Sequence, residues 1–401
     1  MERYTALPFE NIPFMHWGII NKYNFDPEKI EFIPRKRWDP LTSVEIKLFN
    51  EISREFIPIG KRRGHFSYIS PVRGLRPTQI KTDIKKRLDV FKNIIEGKDY
   101  AIFISTENKN LDSPFSTHPI MMEIEDAKSV TIINRFPAMV RYIEEEIEPI
   151  IRKKVETDPF TKIAYGINLV TFPVNYTETL SDIHFQDLVE MIKSLNNAIE
   201  YSVNEAKKRK ITLIPVYPFF NIGYLAGGSQ PRLHAQVYID LNMDGHGPFM
   251  ESILQSFEEQ RKRGICHLCT SRHTDRIVYE NNTWLIWATS SPRRNFHLRL
   301  ATKRHIERIT DLDNNEIEGL ADALIISSKA LDAVGISADR NIIIYSNPYG
   351  YSSYFHLFID ILPFERLGGI ELLDSTRVAR YSPRDVAEEL RKTIKQTRHN
   401  S

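Results

Sequence analysis

At 401 residues, with 41% hydrophobic and 26% charged composition, the chain can bury one large core or two moderate ones, and general disorder is excluded. Fifty-four basic against 52 acidic residues leave a net charge of +2, and the basic runs "RKR" and "KKRK" lie in mixed-charge surroundings, which gives no ground for general nucleic-acid affinity. The start "MERYTALPFENIPF" lacks the basic and apolar regions of a signal peptide, and no apolar stretch approaches the ~18 residues of a membrane helix, so a soluble cytoplasmic chain is expected.

Residues 1–60, rich in Pro and aromatics and without a clean period, read as an N-terminal extension wrapped on the first of two halves. That first half, 61–245, is expected to carry the strands "SVTIINRFPAM" and "GINLVTFP", a helix within "YTETLSDIHFQDLVEMIKSLNNAIEYSVNEA", and the strands "ITLIPVYPFFN" and "RLHAQVYID". The segment "ESILQSFEEQRKRG" predicts a connecting helix within 246–264. The second half, 265–401, repeats the order: "RIVYENNTWLIWA", "FHLRLATKRHIERITDL", the helix "NEIEGLADALIISSKALDAV", then "NIIIYSN" and "YFHLFIDILPF". Strand, strand, helix, strand, strand thus occurs twice, as internal duplication produces. The expected fold class is α+β, with two tandem halves, each an antiparallel sheet backed by a helix.

Two stretches carry chemistry. In "GGSQPRLHAQVYID", Gly227 to Asp240, alternation puts His234 and Gln236 on one face of an otherwise apolar strand, where each needs a partner or a ligand. By itself His234 reads either as a satisfied interior histidine or as a nucleophile, since a neutral imidazole attacks well at pH 7 and leaves well from a phosphoramidate. The only two cysteines form "CHLC" at Cys266 and Cys269, a spacing that points to a metal more than to a disulfide framework, two ordinary buried thiols being the alternative.

From about Ser70 to Arg391 the chain resembles galactose-1-phosphate uridylyltransferase and its relatives, a duplicated branch of the histidine triad superfamily that includes ADP-glucose and diadenosine tetraphosphate phosphorylases. "SPVRGLRP", with Arg73 and Arg76, is similar to that family's phosphate-contacting segment, and "INRFPAM", with Asn134, to its nucleotide-contacting turn. "FFNIGYLAGGSQPRLHAQ", with Asn221, Gly227, Gly228 and Ser229, resembles its active-site run. The resemblance implies histidine-triad-like halves and places His234 at the second histidine of the family's His-x-His-x-Gln motif, which attacks the α-phosphorus of a nucleotide sugar. Gln236 would then bind the nucleotidyl phosphate, while Arg73, Arg76, Ser229 and the amides of Gly227 and Gly228 would stabilise its charge. The implied reaction passes a nucleoside monophosphate from a nucleotide sugar to a sugar 1-phosphate, with UDP-sugar and galactose 1-phosphate as the default pair. Phosphorolysis of ADP-glucose or a diadenosine polyphosphate, to which "SQP" is similar, and a nucleotide-binding module without turnover are the alternatives. No nucleic-acid or membrane partner is expected.

Family members often hold a zinc in the first half, through a CxxC pair, a histidine before the helix and the first motif histidine. Here that half has no cysteine, and Tyr176 in "NYTETL" and Arg232 stand at the histidine positions, as expected if the metal was lost as a unit. Arg232 is expected to contact phosphate instead. In the second half Cys266, Cys269, His305 in "ATKRHIERITDL" and His356 in "YFHLFID" stand at the corresponding places, with Phe358 at the nucleophile's position. By resemblance these four make one closed, structural zinc site (Zn2+). His267 and His273 lie close enough in sequence to replace a ligand, and His297 in "NFHLRL" is a sheet-face candidate. The segment "FERLGGIELLDSTRVARYSPRDVAEELR" resembles the family's C-terminal loop and helix. Glu371 matches the glutamate that contacts the acceptor sugar, although Ile370 replaces the preceding aromatic, and Glu365, beside Arg366, stands in place of a lysine. In the family this loop reaches a partner subunit's active site, so a homodimer is expected.

Overall fold

The computed structural model describes residues 4–75, 89–270, 274–351, 354–374 and 376–399. Its centre is a sheet built from two sets of five strands. The first set is β1 (Phe103–Thr106), β2 (Ser129–Ile133), β3 (Gly166–Pro173), β4 (Val216–Ile222) and β5 (Ala235–Asp240). The second is β6 (Ile277–Glu280), β7 (Trp284–Ala288), β8 (Leu298–Thr302), β9 (Arg340–Tyr345) and β10 (Phe358–Pro363). The spatial order β6-β7-β8-β10-β9-β4-β5-β3-β2-β1 is the same from each edge to the middle, and every neighbouring pair is antiparallel. The duplication is therefore a pseudo-two-fold arrangement about the β4–β9 junction.

The expected α+β class, with two antiparallel halves each backed by a helix, is present, and two details of it differ. The halves do not form separate sheets: β4 and β9 pair, with Phe219 opposite Ile343 and Asn221 opposite Asn341, so what would be two open edges satisfy each other's backbone groups. Each half also has an additional leading strand. β1 is four residues long and buried throughout, too short to show a period, and "RIVYENNTWLIWA" splits into the β6–β7 hairpin. Its turn is held by Asn281, whose Oδ1 accepts from the Trp284 amide at 2.8 Å.

The helices are α1 (Val90–Ile95), α2 (Phe185–Lys208), α3 (Pro248–Lys262), α4 (Asn314–Ala333) and α5 (Pro383–His399). α2 buries Leu188, Ile192, Leu195, Ile199 and Val203, one face of a 3.6-residue period, in a core shared with α4, with Leu233, Ala235, Val237 and Ile239, and with Leu357, Ile359 and Ile361. α4 starts at a reciprocal cap in which Asp313 accepts from the Glu316 amide and Glu316 from the Asp313 amide, both at 2.9 Å. Because the odd-numbered residues of β5 face the helices, alternation turns Arg232, His234, Gln236 and Tyr238 to the opposite side of the sheet. There Phe91 and Ile94 of α1 pack on Phe103, Ile132, Val170 and Phe172, while Met250 and Phe257 of α3 pack near Tyr345 and Phe358.

The N-terminal region is woven into the first half: Thr5–Ala6 pairs with Ile120–Met121, and Arg35–Trp38 lies between Phe66–Ile69 and Thr161–Ile163. A boundary at 60 cuts the strand Glu55–Arg63. Wholly buried Lys36 staples this region to the end of β5, its Nζ 2.8 Å from Asp240 Oδ2 and 2.5 Å from Asp244 Oδ1, with Trp38 Nε1 donating to Asp244 at 3.0 Å. Among the described residues no helix is long and apolar enough to cross a membrane.

Candidate functional site

The loop from β4 to β5 presents the first set of candidate residues, and its glycines have identifiable work. Gly227 has φ +90°, a conformation that side chains with a Cβ rarely adopt. At Gly228 a Cβ would lie 2.7 Å from the carbonyls of Asn221 and Gly223. The amides expected to meet phosphate are used inside the loop: Gly227 N–H donates to Tyr224 O at 3.1 Å and Gly228 N–H to Gly223 O at 2.9 Å. The close approach that glycine permits is to this chain's own backbone. Asn221 Oδ1 accepts from Asn341 Nδ2 at 2.8 Å, across the β4–β9 junction, and Ser229 sits half-buried in the loop.

His234 and Gln236 are both buried on the side of the sheet away from α2 and α4. His234 Nδ1 lies 2.9 Å from the Arg232 carbonyl, which can only accept; the proton is thereby assigned to Nδ1, and Nε2 keeps the lone pair. The ring stands beside Phe91, 5.6 Å between centroids, and Phe91 stacks on Phe172 at 4.4 Å. Tyr238, next along the same face, has the Arg73 guanidinium 5.9 Å from its ring. Opposite Tyr238 on β3 is Asn168, whose Oδ1 accepts from the amides of Ala138 and Met139 at 2.7 and 3.1 Å. That anchors the Asn134 turn, closed by the Phe136 amide donating to Asn134 Oδ1 at 2.9 Å. The structure thus brings His234, Gln236, Arg73 and the Asn134 turn to neighbouring positions on one side of the sheet. Arg76 and His273 lie outside the described residues.

Arg232 departs from its expected role. Its guanidinium forks onto Asp89, Nε to Oδ2 at 3.0 Å and Nη2 to Oδ2 at 2.6 Å, while Nη1 donates to the carbonyls of Pro173 and Val174, both at 2.7 Å. The side chain is 4% exposed and is held internally instead of reaching toward phosphate. Asp89 carries little sequence signal, because it is only a carboxylate at the start of a short apolar segment.

A second cluster joins Cys266, Cys269, His305 and His356, whose ligand atoms all lie within 4.8 Å of one another. Cys266 Sγ and Cys269 Sγ are 3.4 and 3.5 Å from His356 Nδ1, and Cys269 Sγ is 3.4 Å from His305 Nδ1. Around a tetrahedral zinc, with Zn–S ~2.3 Å and Zn–N ~2.05 Å, sulfur and nitrogen are separated by about 3.5 Å, so the four residues fit such an ion. His356 Nε2 donates to the Thr302 carbonyl at 3.0 Å, which would leave Nδ1 for a metal ion, and burial together with His305 lowers its pKa to about 4, keeping the ring in its neutral form. Burial and the adjacent Cys266 push the Cys269 thiol up to about 11, so paired thiolates here call for a cation between them. His267 is exposed and outside the cluster. His297 is a buried partner of Asp360, Nε2 to Oδ1 3.1 Å.

Glu371 lies on the short helix Gly369–Asp374, where Arg377 Nη1 donates to its Oε1 at 2.7 Å and the Gly368 amide to its Oε2 at 2.9 Å. Among the described residues no hydrogen bond or ion pair joins it to the His234 group. Glu365 accepts from Arg377, Arg380 and Asn295, fixing the same loop to the second half.

Comparison with known proteins agrees with this geometry. Residues 262–366 match the family described as scavenger mRNA decapping enzyme C-term binding. The galactose-1-phosphate uridylyltransferase of Thermotoga maritima is 21% identical over 291 residues, 67% of this chain and 86% of that protein. A solved uridylyltransferase mutant matches with TM-score 0.59 at 21% identity, covering 69% of this chain and 91% of its own. An ADP-glucose phosphorylase from Arabidopsis thaliana, with bound ADP-glucose, matches with TM-score 0.59 at 19% identity, covering 82% of this chain and 96% of its own. These two structural likenesses establish a common fold.

Proposed function

Because the chain is a galactose-1-phosphate uridylyltransferase-like member of the histidine triad superfamily, we propose that it is a nucleotidyltransferase working by double displacement at His234. The observation that carries this is the Nδ1–H bond to the Arg232 carbonyl, which makes Nε2 the ring nitrogen that can attack, with Gln236 two residues further along the same side of the sheet. In the first step Nε2 attacks the α-phosphorus of a nucleotide sugar; the P–N bond forms, the P–O bond to the β-phosphate breaks, and sugar 1-phosphate departs. In the second an acceptor phosphate oxygen attacks the same phosphorus and the P–N bond breaks, returning the imidazole. Gln236 donates to the transferring phosphoryl group, Arg73, Arg76 and Ser229 take up its charge, and Asn134 and Asn221 border the nucleotide. UDP-glucose with galactose 1-phosphate is the default substrate pair. Cys266, Cys269, His305 and His356 would hold a zinc ion with four protein ligands, a closed site whose contribution would be structural.

The test is incubation with labelled UDP-glucose, ADP-glucose and diadenosine tetraphosphate, followed by isolation of an acid-labile, base-stable protein adduct. Discharge of that adduct by sugar 1-phosphate supports the transferase; discharge only by inorganic phosphate would make the protein a phosphorylase; binding without any adduct would make it a nucleotide-binding module. Gln236→Ala is expected to slow adduct formation about a hundred- to a thousand-fold, the loss of one donor to a transferring group being worth about 2.7–4 kcal/mol; an unchanged rate would remove Gln236 from the site.

We further infer a homodimer in which Glu371 reaches the neighbouring subunit's acceptor sugar. Glu371→Ala is then expected to weaken use of sugar 1-phosphate about tenfold or more, as loss of a charged hydrogen bond does, while adduct formation continues. A stable, fully active monomer by light scattering excludes this role.

A further inference from the structure

We propose that the Asp89–Arg232 ion pair is a built-in substitute for a metal ion and that it positions the His234 imidazole. The positioning part rests on the reading of His234 as nucleophile; the substitution part rests on internal symmetry alone.

The two halves can be matched by their registers. Val170–Gln236 and Phe219–Gln236 in the first half correspond to Arg299–Asp360 and Ile343–Asp360 in the second. Continued along the strands, this match puts Arg232 on His356, Pro173 on Thr302, Thr177 on Ile306 and Tyr176 on His305. The contacts obey it. Leu233 N–H donates to Thr177 O and Leu357 N–H to Ile306 O, both at 2.7 Å. Arg232 Nη1 donates to Pro173 O at 2.7 Å, and His356 Nε2 to Thr302 O at 3.0 Å. The Arg232 guanidinium is 5.2 Å from the Tyr176 ring, and the His356 ring is 4.7 Å from that of His305. Asp89 immediately precedes α1, as Cys266 immediately precedes the one-turn helix His267–Thr270, each ahead of its half's first strand.

One architecture therefore has two fillings. In the second half four side chains surround the place of an external cation. In the first the cation is covalently attached: a guanidinium held by one carboxylate, two carbonyls and an aromatic face. A divalent ion with two thiolates and two neutral imidazoles sums to zero charge, and so does a guanidinium with one carboxylate. The planar fork matches the carboxylate and has donors left for the carbonyls, which an ammonium group cannot reproduce.

Two contacts of the His234 ring among the described residues lead to this pair. Nδ1–H is received by the backbone carbonyl of Arg232 itself. On the other side Phe91 stands against the ring, and its amide donates at 3.2 Å to Asp89 Oδ1, the side chain that starts α1. The separation of strand and helix around the ring is thus set at one ion pair.

The experiment compares the full-length protein with Asp89→Asn, Arg232→Lys and the double variant Asp89→Leu, Arg232→Met. Asn retains a helix-starting acceptor, and the double variant removes both charges together, which buried pairs tolerate better than loss of one partner. The readouts are metal content, the 15N spectrum of the His234 ring assigned with His234→Gln, and the rate and pH profile of adduct formation. Wild type is expected to show a single Nδ1–H tautomer and no metal beyond the second-half site. The double variant is expected to remain folded with unchanged metal content, to show exchanging tautomers and a shifted pH profile, and to form adduct about a hundred-fold more slowly, as misplacement of a reacting group by ~1 Å does. Arg232→Lys should fail to restore the rate. A double variant with the wild-type tautomer and rate would reduce the pair to a packing element, and a second metal atom per wild-type chain would overturn the substitution without any variant. If wild type forms no adduct with any nucleotide, the nucleophile reading fails, yet the ring spectrum and metal content still decide the role of the pair.

Discussion

His234→Ala is expected to abolish adduct formation and transfer, a loss on the order of a million-fold such as removal of a covalent nucleophile produces, while nucleotide binding and the fold persist. Alanine has no nitrogen to form the P–N bond, and no other imidazole among the described residues shares the Gln236 side of β5. The fold should survive because His234 is on the side of the sheet away from the α2–α4 core, to which its neighbours Leu233 and Ala235 belong. The local cost is the Arg232 carbonyl left without its donor, about 1–3 kcal/mol for a buried acceptor. Wild type should show ping-pong kinetics and exchange label between a nucleotide sugar and its own sugar 1-phosphate without a second substrate; the variant should show neither. Wild-type turnover by His234→Ala would return His234 to the status of an interior histidine.

Metal analysis is expected to find about one zinc per chain, and Cys266→Ser to lower the melting temperature by roughly 10 °C or more while leaving the first half's contacts in place. Cys266 is 3% exposed, in a cluster with Phe257, Trp287, Phe355 and Phe358, so the site joins the segment after α3 to β10. Its ligands come from three separated segments, and coordination therefore closes chain loops that the unfolded state leaves open. Without the ion the Cys269 thiol, raised in pKa by burial and by the adjacent Cys266, loses its reason to sit beside it. Chelation should make both reactive toward a thiol reagent, baring the buried Cys266, and open the second half to proteolysis before the first. A metal-free, fully folded protein with both thiols freely reactive would exclude the site.

Much of this molecule is legible in its sequence. The helical period of Leu188, Ile192, Leu195, Ile199 and Val203, the alternation that becomes Ala235–Asp240, and the gathering of Cys266, Cys269, His305 and His356 into a potential metal site are written in local spacing or in motif resemblance. A period in the chain is enough to set which side chains share a face, because backbone geometry converts spacing into direction. What the tertiary structure decided depends on partners far away in sequence. The pairing of β4 with β9 fuses two sheets into one because open edges find each other, and no local pattern in either strand specifies the other. The Gly227 and Gly228 amides turn inward because carbonyls of their own loop are close enough to accept from them. In sequence Arg232 is a cation available to phosphate; the structure gives it Asp89, 143 residues away, because a guanidinium placed that deep is stable only with its charge and its donors satisfied.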